Sequence, residues 1–221
     1  MKLSHILACI ILSSTNAKWW GGGGGIRGGQ GSGGQGSACQ TQVENSQAQL
    51  SPAIGELDEA EAAELIYMRQ EEKMARDVYN EMYDLWGLRV FSNIARAEEW
   101  HMESMLQMIE KYGLDDPVPP SEYGVGEFED QALQDAYDDF IREGSVSQDA
   151  ALRVGARIEE QDISDLEDAI NMTDEAPLDQ VYGRLMGASE NHLRAFARNL
   201  GGVYDAQLLP QSEVDEILLG N

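Results

Sequence analysis

The sequence predicts an all-α fold: a four-helix bundle with one long crossover between helices two and three, the crossover carrying a short extra helix. Three observations predict it. From Asp58 to about Leu200 apolar residues recur at steps of three and four, glycines stand where that spacing stops, and no alternating strand pattern competes with it.

Before that region, the chain opens MKLSHILACIILSSTNA: one lysine, an apolar run from Leu7 to Leu12, then small polar residues to Ala17. This is the pattern of a signal peptide over residues 1–17, so the mature protein is expected to be secreted. The run is shorter than the ~18 consecutive apolar residues a membrane helix needs, and no later segment approaches that length, so no membrane span is expected. A lipid anchor at Cys9 would leave almost no apolar region ahead of it. Residues 18–55 are rich in Gly, Ser and Gln and carry too little apolar content to offset chain entropy, which predicts a flexible tether. Trp19 and Trp20 flank the proposed processing point. Cys39 is then the only cysteine of the mature chain, which excludes an intrachain disulfide and a Cys-x-x-Cys metal site.

Residues 56–205 are long enough for one domain with a packed core. Helix one runs from Asp58 to the stop at Gly87. Ser92 can cap helix two, which extends to Tyr112 and ends at Gly113; the short connection makes the pair antiparallel. The crossover GLDDPVPPSEYGVGEF follows, then a short amphipathic piece from about Glu129 to Glu143. Helix three runs from Ser147 to about Ile170. Thr173 is a good N-cap for helix four, about Leu178 to Leu200, which Gly201 and Gly202 stop. Asn171-Met172-Thr173 forms a glycosylation sequon in the turn between them. Residues 206–221 read as an acidic C-terminal tail.

Forty acidic residues stand against fifteen basic ones, a net charge of −25, which argues against nucleic acid and anionic membrane surfaces as partners. Cations are the natural small partners. Inward positions, taken at steps of three and four, sharpen this. Helix one presents Leu65, Met68, Glu72, Ala75 and Tyr79, and helix two presents Ile94, Glu98, His101, Met105 and Met108. Helix three presents Leu152, Gly155, Glu159, Asp162 and Leu166, and helix four Leu185, Ser189, His192 and Phe196. Each seam is apolar at its ends and polar in the middle, so antiparallel packing brings the polar patches to one depth.

Carboxylates gathered there without partners would cost several kcal/mol each to desolvate. Glu72, Glu98, Glu159 and Asp162 carry charge that two divalent ions would balance, and His101 and His192 add one nitrogen donor per ion. Oxygen-rich ligation of this kind suits iron first and manganese second, with zinc also open. Glu71, Glu99 and Glu160 each lie one residue, about 100° of helix, from a selected position and are expected on solvated faces.

These residues resemble the ferritin-like superfamily, which includes the rubrerythrins and ferritins, over residues 58–200. Glu72 and Tyr79 in EKMARDVY match a first-helix glutamate with a tyrosine seven later; Glu98 and His101 match E-x-x-H; Glu159 and Asp162 in EEQD match the third-helix E-x-x-E of rubrerythrins. Helix four departs from the pattern: SENH keeps His192 but has Ser189 where the family has glutamate, and Glu190 could replace it only with a rotated or bulged helix. The runs EEKMARDVYNEMYDLWGLRVFSNIA and NHLRAFARNL resemble the domain-of-unknown-function family 2202. The superfamily resemblance implies a di-metal centre reacting with dioxygen or hydrogen peroxide, as a ferroxidase or peroxidase. Tyr79 would then hydrogen-bond a ligand or pass an electron. With no rubredoxin-like cysteine module, a peroxidase would need an external electron donor. A non-catalytic metal-binding or structural bundle is the alternative that Ser189 keeps open, and a homodimer is compatible with the sequence.

Overall fold

The computed structural model describes residues 55–220, which form six helices and no strand. The proposed signal peptide and the tether up to residue 54, with Cys9, Trp19, Trp20 and Cys39, lie outside the described residues. The helices are α1 Glu59–Trp86, α2 Arg89–Lys111, α3 Gln131–Gly144, α4 Gln148–Met172, α5 Ala176–Asn199 and α6 Gln211–Leu219. None is long and apolar enough to cross a membrane.

α1 starts at a capping box in which the Asp58 side chain accepts from Ala60 N and Glu61 N while Glu61 accepts from Asp58 N. It stops at Gly87, whose φ of 66° is left-handed backbone that favours glycine. α2 begins earlier than its expected cap: Leu88 is the N-cap with no side-chain bond, and Ser92 lies inside the helix, donating back to Arg89 O. Burial of Phe91 and Ile94 against neighbouring helices offsets the missing cap. Ser147 caps α4 as expected. Thr173 caps the end of α4 instead of the start of α5, and its hydroxyl ties the turn together by accepting from Glu175 N and donating to Glu61.

α1 packs along α2 and α4 along α5, and the two hairpins meet through α1 with α4 and α2 with α5. Their inner faces make two apolar clusters. One joins Val78, Tyr79, Met82, Phe91, Ile94, Leu152 and Phe196. The other joins Leu65, Met68, Met105, Ile109, Leu166, Leu178 and Leu185. The first draws on the later half of α1, the start of α2, the start of α4 and the end of α5; the second draws on the opposite halves. Helices within each hairpin therefore run antiparallel, and mid-helix residues fall between the clusters.

The segments outside the hairpins cover their flanks. Arg69 reaches the crossover through Asp116, at 2.8 and 2.7 Å, and also donates to Met102 O. One and two turns on, buried Lys73 pairs with Asp77 at 2.7 Å; Lys73 donates to Gly124 O and Asp77 accepts from Gly126 N. α3 lies against α1 and α4. The acidic C-terminal segment is more than a tail: it contains α6, packed on α5, with Val214 fully buried and Ile217 O accepting from Arg194. Val214, Ile217 and Leu218 at steps of three and one give that short helix an apolar face.

Candidate metal centre

The polar stretch of each seam lies between the apolar clusters. Glu72 on α1, Glu98 and His101 on α2, and Glu159 on α4 are buried; His192 on α5 has a side chain 12% exposed. Two groups of three converge, Glu72 with Glu98 and His101, and Glu98 with Glu159 and His192, each offering atoms within 4.8 Å of one another. Glu98 is common to both. Its Oε2 lies 2.7 Å from His101 Nδ1 and its Oε1 lies 3.1 Å from His192 Nδ1. Each histidine has a second carboxylate at 3.3 Å, Glu72 for His101 and Glu159 for His192. The imidazoles are stacked, with centroids 5.5 Å apart.

These close approaches are mostly not hydrogen bonds. Glu72 Oε1, Glu98 Oε1 and His192 Nδ1 are buried with no hydrogen-bond partner among the described residues. His192 Nδ1 and Glu98 Oε1 are near enough for an ion pair but not aligned to share a hydrogen. Buried polar atoms are ordinarily satisfied, so three orphans in one layer need another partner. Two donors held about 2.1 Å from one metal ion at right angles stand roughly 3 Å apart, the spacing seen here. The donor set therefore fits cations: two mixed carboxylate and imidazole clusters that could hold metal ions, joined through Glu98.

Without metal, the charges lean on one another. Burial would lower both histidines, yet Glu72 and Glu98 push His101 up to about 12, and Glu159 and Glu98 push His192 up to about 10. Burial would raise Glu98, but the two histidines bring it down to about 2. Glu72 is raised by burial and by Asp162; Glu159 is raised by burial, with Glu98 adding to it. The carboxylates therefore draw positive charge to both imidazoles, and a metal ion would compete with protons for the same nitrogens.

Asp162 lies beside the two triads and not within either. It lines the cavity of about 20 Å³ that Glu72, Glu98 and Glu159 also line, room for about one water. Ser189 Oγ, fully buried on α5, has one hydrogen to share between Asp162 Oδ2 and Leu185 O. Burial, with Glu159 and Glu98, raises the Asp162 carboxyl to about 7. Where α5 lacks a carboxylate at Ser189, α4 supplies one facing the same space. Glu190 does not take that place: it is partly exposed and pairs with Arg194 at 3.6 Å. Tyr79, fully buried, donates to Glu159 Oε1 at 2.5 Å, and burial and Glu159 raise the phenol. Its ring contacts Phe91 and Phe196 at centroid distances of 6.1 and 5.4 Å.

Two of the three neighbouring acids expected on solvated faces are not there. Glu99 is exposed, but Glu71 and Glu160 are buried. The crossover, α3 and the C-terminal segment bury second faces of α1 and α4, which a single-seam reading does not capture. Glu160 faces the C-terminal segment, accepting from Gln207 N, Leu208 N and Leu209 N at 2.8–3.1 Å and from Tyr204 Oη at 2.5 Å. Ser189 is the site residue missed as a contributor, and the departure of SENH from E-x-x-H was the signal for it.

Residues 61–221 match the uncharacterized protein domain DUF2202. The chain belongs to the DUF2202 family. It is 42% identical over 165 residues to the uncharacterized protein MJ0754 of Methanocaldococcus jannaschii, covering 73% of this chain and 88% of that one. The crystal structure of hypothetical protein MJ0754 is similar at a TM-score of 0.73 and 40% identity, covering 76% of this chain and 97% of that chain. Neither name states an activity, so for this DUF2202 chain the chemistry has to be read from the site.

Proposed function

We propose that this DUF2202 protein is an exported, ferritin-like four-helix di-metal protein, with iron first and manganese second, acting on dioxygen or hydrogen peroxide as a ferroxidase or peroxidase. The observation that carries this reading is the shared Glu98, one oxygen toward each histidine. Glu72 and His101 would hold one ion and Glu159 and His192 the other, with Glu98 between them and Asp162 facing both. Bound iron would supply one-electron exchange with dioxygen or peroxide. The two hairpins joined by a crossover supply the ferritin-like frame, and the apolar clusters on either side exclude water from the layer. Tyr79 holds a hydrogen on its phenolic oxygen toward Glu159, which orients that carboxylate and favours its ionised form against the burial that raises it. Ser189 does the same for Asp162. Peroxidase turnover would draw electrons from an external donor, and export rests on the apolar run within residues 1–17.

Elemental analysis after purification, followed by iron reconstitution, tests the proposal. About two metal ions per chain, a near-ultraviolet charge-transfer band and peroxide-dependent turnover are expected. Zinc alone, with no turnover after iron loading, would favour the second reading: a metal-binding or structural bundle without catalysis. The serine at position 189 is the specific observation on that side.

A further inference from the structure

The outer faces of the long helices are not treated alike. The crossover and α3 lie against α1, α3 also against α4, and α6 against α5, whereas α2 packs on α1 and α5 and leaves one continuous stripe exposed. Arg89, Asn93, Arg96, Trp100, Glu103 and Gln107 recur at steps of four and three, and all six are exposed. Trp100, near the middle of the stripe, is 74% exposed and is the largest of the exposed apolar side chains. Trp86, by contrast, is half-buried and donates its indole N–H to Gly144 O at 2.9 Å. An indole carries about 150–250 Å² of surface to bury, and tryptophan is enriched among the anchors of protein interfaces.

The charges along the stripe are sorted about that tryptophan. Arg89 and Arg96 precede it; Glu103 follows it, with Glu110 seven residues further on. In a chain with 40 acidic and 15 basic residues, every arginine–carboxylate pair among the described residues lies elsewhere. Arg96 instead donates to Ser92 O and Asn93 Oδ1, and Glu103 accepts from Gln107, all within α2. A face that is basic before its midpoint and acidic after it is complementary to itself when turned end for end. At about 1.5 Å per residue, Arg96 stands about 6 Å before Trp100 and Glu103 about 4.5 Å after it. A two-fold axis beside Trp100 therefore brings Arg96 of one copy level with Glu103 of the other, twice. Seven residues bring the helix back to within about 20°, so these two positions share one side of the stripe, and the axis sets like sides together. Arg89 comes level with Glu110, where Lys111 also lies, so that outer pair adds less. Parallel packing would set arginine on arginine.

We propose that two copies of this chain associate about a two-fold axis through the outer face of α2, the helices antiparallel, with Trp100 packed on Trp100 and an Arg96–Glu103 pair on either side. Each copy carries a net charge of −25, so association is opposed at long range and needs a face that places opposite charges in register. The dimer does not rest on the inner centre holding metal, because Glu98 and the stripe lie on opposite faces of α2. A contact made by one helix and its tryptophan is small, at the low end of specific interfaces, and the dimer is correspondingly weak.

Sedimentation equilibrium of the full chain, from about 1 to about 500 µM, tests this. A monomer–dimer equilibrium with a dissociation constant on the order of 10 µM is expected. Trp100→Ala should weaken it at least about tenfold. Arg96→Glu and Glu103→Arg each set like charges across the axis, so each alone should sediment as a monomer. An equimolar mixture of those two variants restores both pairs and should recover the dimer, as should the double variant Arg96→Glu/Glu103→Arg. All three positions are exposed, so thermal melts of the variants should overlay the wild type. Metal uptake should be equal in wild type and Trp100→Ala, which keeps this result separate from that of the inner centre. A wild type that stays monomeric over the whole range leaves the face to a partner of another kind and overturns the proposal. Single variants that dimerise as the wild type does, or a mixture that fails to recover the dimer, overturn it as well.

Discussion

Glu159 and Glu160 are neighbours in sequence, both buried, and opposite in circumstance. Glu160 accepts hydrogen bonds from three consecutive backbone N–H groups and a tyrosine, so its oxygens are fully engaged by the segment it holds. One residue earlier, Glu159 enters a layer where Tyr79 donates to it, His192 lies 3.3 Å away, and other buried atoms have no hydrogen-bond partner among the described residues. A carboxylate buried among donors holds a structure together. One buried among acceptors and imidazoles could hold a cation, and the contrast separates the acids of this chain whose hydrogen bonds are met from those whose are not.

Substitutions should divide along that line. Glu98→Ala is expected to have the largest effect: both clusters lose their common ligand, and metal affinity measured by competition with a chelator should fall more than about a hundredfold. Circular dichroism should show the metal-free variant still helical, so the loss of affinity is not a loss of fold. Glu160→Ala should do the reverse, leaving metal affinity near wild type while stranding three backbone N–H groups. At about 1–3 kcal/mol per orphaned donor, a destabilisation of at least about 3 kcal/mol is expected in denaturant unfolding, with early proteolysis after Leu200. A stable, metal-deficient Glu160→Ala would erase the distinction.

Gly155→Ala probes the boundary between the two regions. A Cβ at Gly155 would stand 2.5 Å from the Phe196 ring, which itself packs on Tyr79. Overpacking of this kind costs about 1–3 kcal/mol, and the displaced tyrosine should lose its bond to Glu159, seen as a changed tyrosine absorbance on iron loading. The smallest effect is a pH dependence. Burial, aided by Asp165 and Asp168, raises Glu64 to about 7. The folded state therefore binds this proton more tightly than the unfolded chain does. Its contribution to the stability of the metal-free protein is complete below about pH 4.5 and is lost as the pH rises through 7. Glu64→Gln should flatten that decline in melts recorded from pH 4 to 8.

Much of this frame is legible in the sequence because each long helix has one continuous inner seam. Leu65, Met68, Glu72, Ala75 and Tyr79 are all buried as their spacing implies, and Glu98, His101, Glu159 and His192 lie at matching depths. The same spacing is silent about second faces. Arg69, Lys73 and Asp77 look like ordinary surface charges at helical spacing, yet the crossover covers them. Glu160 looks like a solvated neighbour of Glu159 because the segment that binds it lies more than forty residues later. The start of α2 was misplaced for a related reason: tertiary packing of Phe91 outweighs the capping preference of Ser92. Asp162 was legible as an inward acid, but its pairing with Ser189 depends on the depth at which α4 and α5 meet.

Equilibrium metal binding to Glu98 is the most direct measurement. Extended X-ray absorption on the iron-loaded protein should show a metal neighbour at about 3.5–4 Å from each iron, with mixed oxygen and nitrogen ligation, and Glu98→Ala should abolish it. A purified chain that takes up no iron, manganese or zinc, or one whose metal is unaffected by losing Glu98, would contradict the shared-carboxylate centre.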